Sequence, residues 1–235
     1  MYNKLEEVQK KFGPQIASKA FHLEAIKLSP NDPFQWASGY RMPIYNDNRR
    51  LLSDPEARAL VAEGFAARIE ALGIPFDSIA GTATAGIPHA TTLADRLGKP
   101  LCYVRSGGKD HGLKNLIEGL GSDGSFHGDR VLLIEDLIST GGSSVKAVQS
   151  IRHAEGLVGY CLAIFTYGMQ ASVHAFGALD PPCLPIALLD YDAMVATALA
   201  TGYVDGNGAR LLGQWRIDPF GWGSANGFPP PAREE

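Results

Sequence analysis

The chain has 235 residues, 45% hydrophobic and 20% charged, with a formal net charge of -4. These values suit one large α/β domain with a sizeable core. They speak against general nucleic-acid binding, which needs a cationic field. The three cysteines, Cys102, Cys161 and Cys183, are too few and too widely spaced for a disulfide framework or a zinc site. Cys102 and Cys161 sit inside apolar runs and read as core residues. Met1 to Lys11 is charged and lacks the apolar stretch of a leader, and no run approaches the ~20 apolar residues of a membrane span. The expected compartment is a reducing cytoplasm.

No internal repeat is present. Residues 2 to about 28 read as helical, with Leu5, Val8, Phe12, Ile16 and Ala20 near helical spacing and a break or kink at Gly13-Pro14. Residues 30–50 are irregular and rich in Pro, Gly and Asn. A second helix is expected from about Ser53 to Leu72, with Ser53 and Glu56 as a capping box and Pro55 in its first turn. Short apolar runs then alternate with helical patterns. Strands are expected at Phe76–Ala80, Leu101–Val104, Val131–Ile134, Val158–Tyr167 and Cys183–Leu189, with helices at Gly86–Leu97 and Gly142–Glu155. Residues 105 to about 114 form a glycine-rich loop, and 115–128 read as a hairpin turning near Gly121–Gly124. A last helix around Leu211, Leu212 and Trp215 precedes a Pro/Gly-rich tail with little scope for regular structure. The alternation predicts a mainly parallel central sheet flanked by helices, with ligands at the carboxyl ends of its strands. The expected organisation is one domain: a hood over about 1–50, a core over about 51–190, and C-terminal helices with a loose tail over about 190–235.

The most informative stretch is Val131-Leu-Leu-Ile-Glu-Asp-Leu-Ile-Ser-Thr-Gly-Gly-Ser-Ser144. Four apolar residues make a buried strand, and Glu135 and Asp136 are expected beyond its carboxyl end. Glycines at 141 and 142 let successive N–H groups converge into an anion nest, and the following helix adds its positive end. The hydroxyls of Ser139, Thr140 and Ser143 add donors. This is a site for a phosphate monoester. The two acids would repel that phosphate, so they are expected to face ribose hydroxyls or a Mg²⁺ ion.

This segment resembles the signature of the type I phosphoribosyltransferase family: an apolar strand, two acids, two apolar residues, then a Thr/Ser-Gly-rich loop. The resemblance implies a phosphoribosyl pyrophosphate (PRPP) site in which Glu135 and Asp136 contact the ribose hydroxyls and Ser139, Thr140, Gly141, Gly142 and Ser143 wrap the 5-phosphate, with Leu137 and Ile138 also in the PRPP-binding segment. It also implies Mg²⁺, held mainly by PRPP with Glu135 and Asp136 as possible protein ligands.

Tyr103-Val-Arg-Ser-Gly-Gly-Lys-Asp-His-Gly112 is similar to the catalytic loop of the orotate phosphoribosyltransferases. By that likeness Arg105, Lys109 and His111 bind PRPP, and Lys109, His111 and Asp136 are the catalytic residues. Cations on a closing loop stabilise charge that grows on departing pyrophosphate and exclude water. In the family this loop enters the neighbouring subunit's site, so a homodimer is implied. Gly81 to Ala90 resembles the pyrophosphate loop, with Thr84-Ala85 where some relatives carry Tyr-Lys. Residues 33–49 resemble the hood over orotate. Backbone groups at Tyr45 and Asn46 are expected to face the base, with Ser139 reaching it from below. The arginine that meets the orotate carboxylate in some relatives has no clear match here; Arg41 and Arg49 are the candidates. Phe165 to Met169 and Trp215 to Trp222 are also similar to some members, without an assigned role.

Gly119-Leu-Gly-Ser-Asp-Gly124 lacks the strand and helix a dinucleotide site needs, and Ile87-Pro88 replaces the Lys-Ser/Thr of a P-loop. His22, His153 and His174 read as surface or packing residues, and His89 as packing. The expected reaction is transfer of ribose 5-phosphate from PRPP to N1 of orotate, in pyrimidine synthesis. The competing readings are transfer to another nucleobase and a non-catalytic PRPP-sensing regulator.

Overall fold

The computed structural model describes residues 2–36, 39–107 and 116–228. Helix α1 (Tyr2–His22) runs through Pro14 and buries Phe12, Ile16, Ala17, Ala20 and Phe21 on one face. The expected break at Gly13-Pro14 is absent. Proline removes a single backbone donor, and the buried stripe on both sides of it holds the helix together. The helix also stops earlier than its periodicity suggests. Glu24 takes a positive φ of 54°, and Ile26–Leu28 forms strand β1, antiparallel to β4 (Ile44–Asn46). The short strands β2 (Phe34–Gln35) and β3 (Arg41–Met42) pair beside them.

A 3-10 helix spans Asn48–Ser53, and α2 covers Pro55–Leu72. The α2 cap is Asp54, not Ser53. The Asp54 carboxylate accepts the Glu56 N–H at 2.9 Å, and Pro55 takes the first helical position, where a missing donor costs nothing. Gly73 closes the helix in the left-handed region.

The central sheet is built from β5 (Ser78–Thr82), β6 (Leu101–Val104), β7 (Ile117–Glu118), β8 (Arg130–Ile138), β9 (Leu157–Thr166) and β10 (Leu184–Asp190). Its order is β10-β9-β8-β5-β6-β7, parallel throughout except for β7. The hairpin expected within 115–128 is instead made by β6 with β7, across the loop that starts at Arg105. Gly121 to Gly124 still forms a turn.

Residues alternate across the sheet as a strand's period of two requires. Leu132 and Ile134 of β8 join Leu162 and Ile164 of β9 in one core; Val131 and Leu133 join Cys161 and Ala163 in the other. The first core takes in α1, α2 and α3 (Gly86–Leu97). It extends to Met42 and Ile44 of the hood and to Leu212, Trp215 and Trp222 near the C-terminus. The second lies under α4 (Gly142–His153) and α5 (Gln170–Gly177). All three cysteines are buried and free.

Beyond β10 come α6 (Tyr191–Ala200), α7 (Gly206–Ile217) and the short α8 (Trp222–Ala225). Gly and Pro around residues 219–228 concealed the short helix and its packing; residues 229–235 lie outside the described residues. Trp222 stacks on Phe228, donates its indole N–H to Leu211 O at 3.0 Å and is buried against the hood side of the core. No described helix is long and apolar enough to cross a membrane.

Candidate functional site

Parallel sheets open a crevice where the chain reverses its direction of growth. Here β5 is followed by β6 on one side and by β8 on the other, so the reversal lies between β5 and β8. Thr82 and Glu135 face each other at that seam, because Gly81 pairs with Ile134. The described residues that leave β5, β6 and β8, namely 83–85, 105–107 and 139–143, therefore converge on one place. They belong to the loops that the sequence marks out.

Strand β8 runs through both acids to Ile138 instead of ending before them. Pairing with β9 continues as far as Ile138↔Thr166, and this tertiary pairing holds the acids in extended backbone. Successive side chains then point to opposite faces. Glu135 turns inward and is only 5% exposed. Its carboxylate accepts Thr82 Oγ1 at 2.5 Å, Ser144 Oγ at 2.9 Å, the Asp136 N–H at 3.1 Å and Ser143 Oγ at 3.5 Å. An ionised carboxylate can be buried when donors surround it in this way. Glu135 thereby clamps the end of β5, β8 and α4 together.

Asp136 points the other way and remains partly open. Burial, and then the adjacent Glu135 charge, push its carboxyl well above the usual range. Its carbonyl oxygen accepts the Asn48 side-chain N–H at 2.8 Å, which fixes the hood's 3-10 helix to the acid pair. The Leu137 and Ile138 side chains pack into the two cores, so these residues present only main-chain groups to a ligand.

After Ile138 the chain turns through Ser139, Thr140 and Gly141 into α4. Gly141 has φ 84° and no side chain caps the helix, so its first-turn amides face outward. Thr140, Gly142 and Ser143 are exposed beside them, while Ser144 is wholly buried on Glu135. This is an anion nest flanked by the Thr140 hydroxyl and by the Ser143 hydroxyl, whose contact with Glu135 is a long one of 3.5 Å.

The β5 loop carries Thr84 and Ala85, with a cis peptide between Ala83 and Thr84. Thr84 is exposed and Ala85 partly buried. A side chain at Gly86 would stand 2.5 Å from Thr82 Oγ1 and 2.6 Å from Ile134 O, so only glycine lets α3 start this close to the seam. Arg105 leaves the end of β6 and reaches Glu118 at 3.3 Å. A cleft of about 550 Å³ lies between these parts, lined by Thr82, Ala83, Arg105, Ser143 and Lys146. Lys109 and His111 lie outside the described residues, as does Ser38 of the hood.

In the hood, the Tyr45 ring is exposed beside Phe34. Both polar atoms of the Asn46 side chain are buried without a hydrogen-bond partner. Ser139 Oγ contacts Met169 Sδ at 3.9 Å. Arg49 is held by its own Asp47 at 2.6 and 3.0 Å. His89 is 2% exposed, its Nε2 has no partner, and burial pushes its imidazole down to about 4.

Sequence reasoning missed Thr82 and Ser144 as the partners of Glu135, Asn48 as the hood's tether, and Lys146 on the cleft wall. Lys146 had a signal: it stands one helical turn after Ser143. Asn48 had none, since 88 residues separate it from its acceptor.

A phosphoribosyl transferase domain model matches residues 47–166, which contain the whole crevice. The chain is 44% identical to orotate phosphoribosyltransferase of Porphyromonas gingivalis over 214 residues, covering 91% of this chain and 99% of that protein. It is 44% identical to the Bacillus caldolyticus orotate phosphoribosyltransferase over 209 residues, 89% of this chain and 98% of that one. Among solved structures, Aeropyrum pernix orotate phosphoribosyltransferase superposes with a TM-score of 0.65 at 26% identity, covering 81% of this chain and 99% of that one. Leishmania donovani UMP synthase shares the fold, with a TM-score of 0.72 at 24% identity over 87% of this chain and 42% of that one. A crevice of this construction and likeness along nearly the whole length agree, and the chain belongs to the orotate phosphoribosyltransferase family.

Proposed function

We propose that this chain transfers ribose 5-phosphate from PRPP to N1 of orotate, releasing pyrophosphate and orotidine 5'-monophosphate (OMP). The observation that carries this is the near full-length likeness to orotate phosphoribosyltransferases, in a chain whose family match spans the acid pair and the α4 nest. The α4 amides, Thr140 and Ser143 receive the 5-phosphate. Asp136 accepts from a ribose hydroxyl, on a backbone that Glu135 and Asn48 hold still. Arg105, with Lys109 and His111 from the loop that follows it, meets the pyrophosphate as its charge grows. Thr84 and Ala85 offer main-chain donors there. Tyr45, Asn46 and Ser139 border the base. Orotate N1 reacts as an anion, so no general base is needed.

Mg²⁺ fits this donor set in a limited way. No group of three potential ligands occurs among the described residues, and Glu135 is already surrounded by donors. Asp136 is the free carboxylate, and Mg²⁺ is commonly held by one or two carboxylates plus substrate phosphates. Bound with PRPP, the ion would neutralise charge on the leaving diphosphate. The further expectations are a homodimer that exchanges the 105–114 loop between sites, one domain whose hood and C-terminal helices share a core, and a cytoplasmic setting.

The test is loss of orotate absorbance on mixing the chain with PRPP, Mg²⁺ and orotate. Uracil, hypoxanthine and adenine run in parallel, and a chelator arm tests the ion. Turnover with orotate alone is expected. Turnover with another base would refute the base assignment, and PRPP binding without turnover would favour a regulator. Mixing Lys109→Ala with Asp136→Asn subunits should restore activity if the loop crosses between subunits.

A further inference from the structure

Orotate carries a carboxylate beside the reacting nitrogen, and a site that encloses the base must supply a cation or leave that group in water. On the reading above, the hood arginines are the first candidates. Arg49 is committed to Asp47 and its side chain is 64% exposed. Arg41 sets its Cβ 3.3 Å from the Cβ position of Gly223, on the α8 side of the hood.

Arg216, in the last turn of α7, is placed differently. Its Nη2 lies 2.9 Å, and its Cζ 3.7 Å, from where a Cβ on Gly168 would stand. Gly168 has φ 59°, and any side chain there would displace the guanidinium. Gly168 follows the carboxyl end of β9 and is stitched to the base region. Its N–H donates to Thr166 Oγ1 at 3.0 Å, and Thr166 Oγ1 donates to Ile138 O at 3.2 Å. The next residue, Met169, touches Ser139. On the other side, the neighbouring Trp215 donates its indole N–H to Met42 Sδ of the hood at 3.0 Å. Arg216 therefore sits between the hood and the Ser139 turn, the two elements that border the base.

Its charge is also unspent. Arg216 is partly buried, its Nε has no hydrogen-bond partner, and it joins none of the ion pairs among the described residues. The titratable neighbour it acts on is the Tyr191 phenol, whose hydroxyl already donates to Leu212 O. A half-buried cation without a counter-charge favours an anion, and guanidinium presents a fork that matches a carboxylate.

We infer that Arg216 binds the carboxylate of orotate, and the same carboxylate of OMP. The inference rests on the proposed reaction, and the experiment separates the two. Binding of OMP and of UMP, which differ only by this carboxylate, is measured on the unaltered chain and on R216Q, R216K and R41Q. The unaltered chain should prefer OMP. R216Q should lose about tenfold to hundredfold in OMP affinity, as expected for one charge-assisted contact, with UMP binding unchanged. R216K should keep part of the preference. The KM for orotate should rise in R216Q with that for PRPP unchanged. Equal weakening of OMP and UMP would reduce Arg216 to a packing residue and overturn the inference, as would loss of the preference in R41Q but not in R216Q. Failure of the proposed reaction would show earlier, as turnover of a different base by the unaltered chain.

Discussion

Thr82→Val removes one hydroxyl from the seam and keeps the shape of the side chain. Thr82 Oγ1 is the shortest donor to the Glu135 carboxylate, at 2.5 Å, and Glu135 is 5% exposed, so water cannot replace it. Ser144, the Asp136 N–H and Ser143 remain, so the carboxylate is weakened and not orphaned. A hydrogen bond to a buried charge contributes about 1.5–3 kcal/mol. For a chain of this size, where each kcal/mol moves Tm by about 2–4 °C, the loss should lower Tm by roughly 3–12 °C. Thermal unfolding followed by circular dichroism gives the number, and urea unfolding checks it. Ser144→Ala should cost a similar amount. The double variant should depart from additivity, because both donors serve one carboxylate. The kcat/KM for PRPP should fall as well, since the Asp136 backbone hangs on the same carboxylate. If Thr82→Val and Ser144→Ala each melt within about a degree of the unaltered chain, the network contributes nothing to stability and the reasoning fails.

His89 titrates at 6.5 when unfolded and near 4 in its buried position, so only the unfolded chain takes up its proton between those values. Its contribution is full above pH 6.5 and lost as pH falls to 4. The full shift is worth about 3 kcal/mol, and His89→Leu should flatten that part of the stability curve in urea titrations at pH 4.5 and 7. Trp222→Ala should cost roughly 3–5 kcal/mol, because the residue is 2% exposed in the main core. A loss under about 1 kcal/mol would make the tail a loose appendage. Lys109→Ala should lower kcat far more than it weakens PRPP binding. Unchanged kcat with a raised KM would remove the loop's role in the transition state.

The alternation of short apolar runs with amphipathic segments, together with the uninterrupted 131–144 stretch, determined the parallel sheet, the nest and the acid pair. These signals are local. Period and turn chemistry are set by residues near one another in the chain, which is why α3 and β6 were read with the bounds they have. The tertiary structure decided what depends on distant partners. Residues 26–28 became a strand because Ile44–Asn46 lies alongside, and β8 carried on through Asp136 because β9 pairs with it. Residues 222–228 took up regular packing because Trp222 found the core. The same distinction divides the two acids. Adjacent in sequence and equal in charge, they separate only when the strand turns one inward to Thr82 and Ser144 and leaves the other at the crevice. Arg216 is the extreme case. Nothing within its own helix marks it, and only the glycine 48 positions earlier in the chain, at the end of another strand, shows where its charge is held.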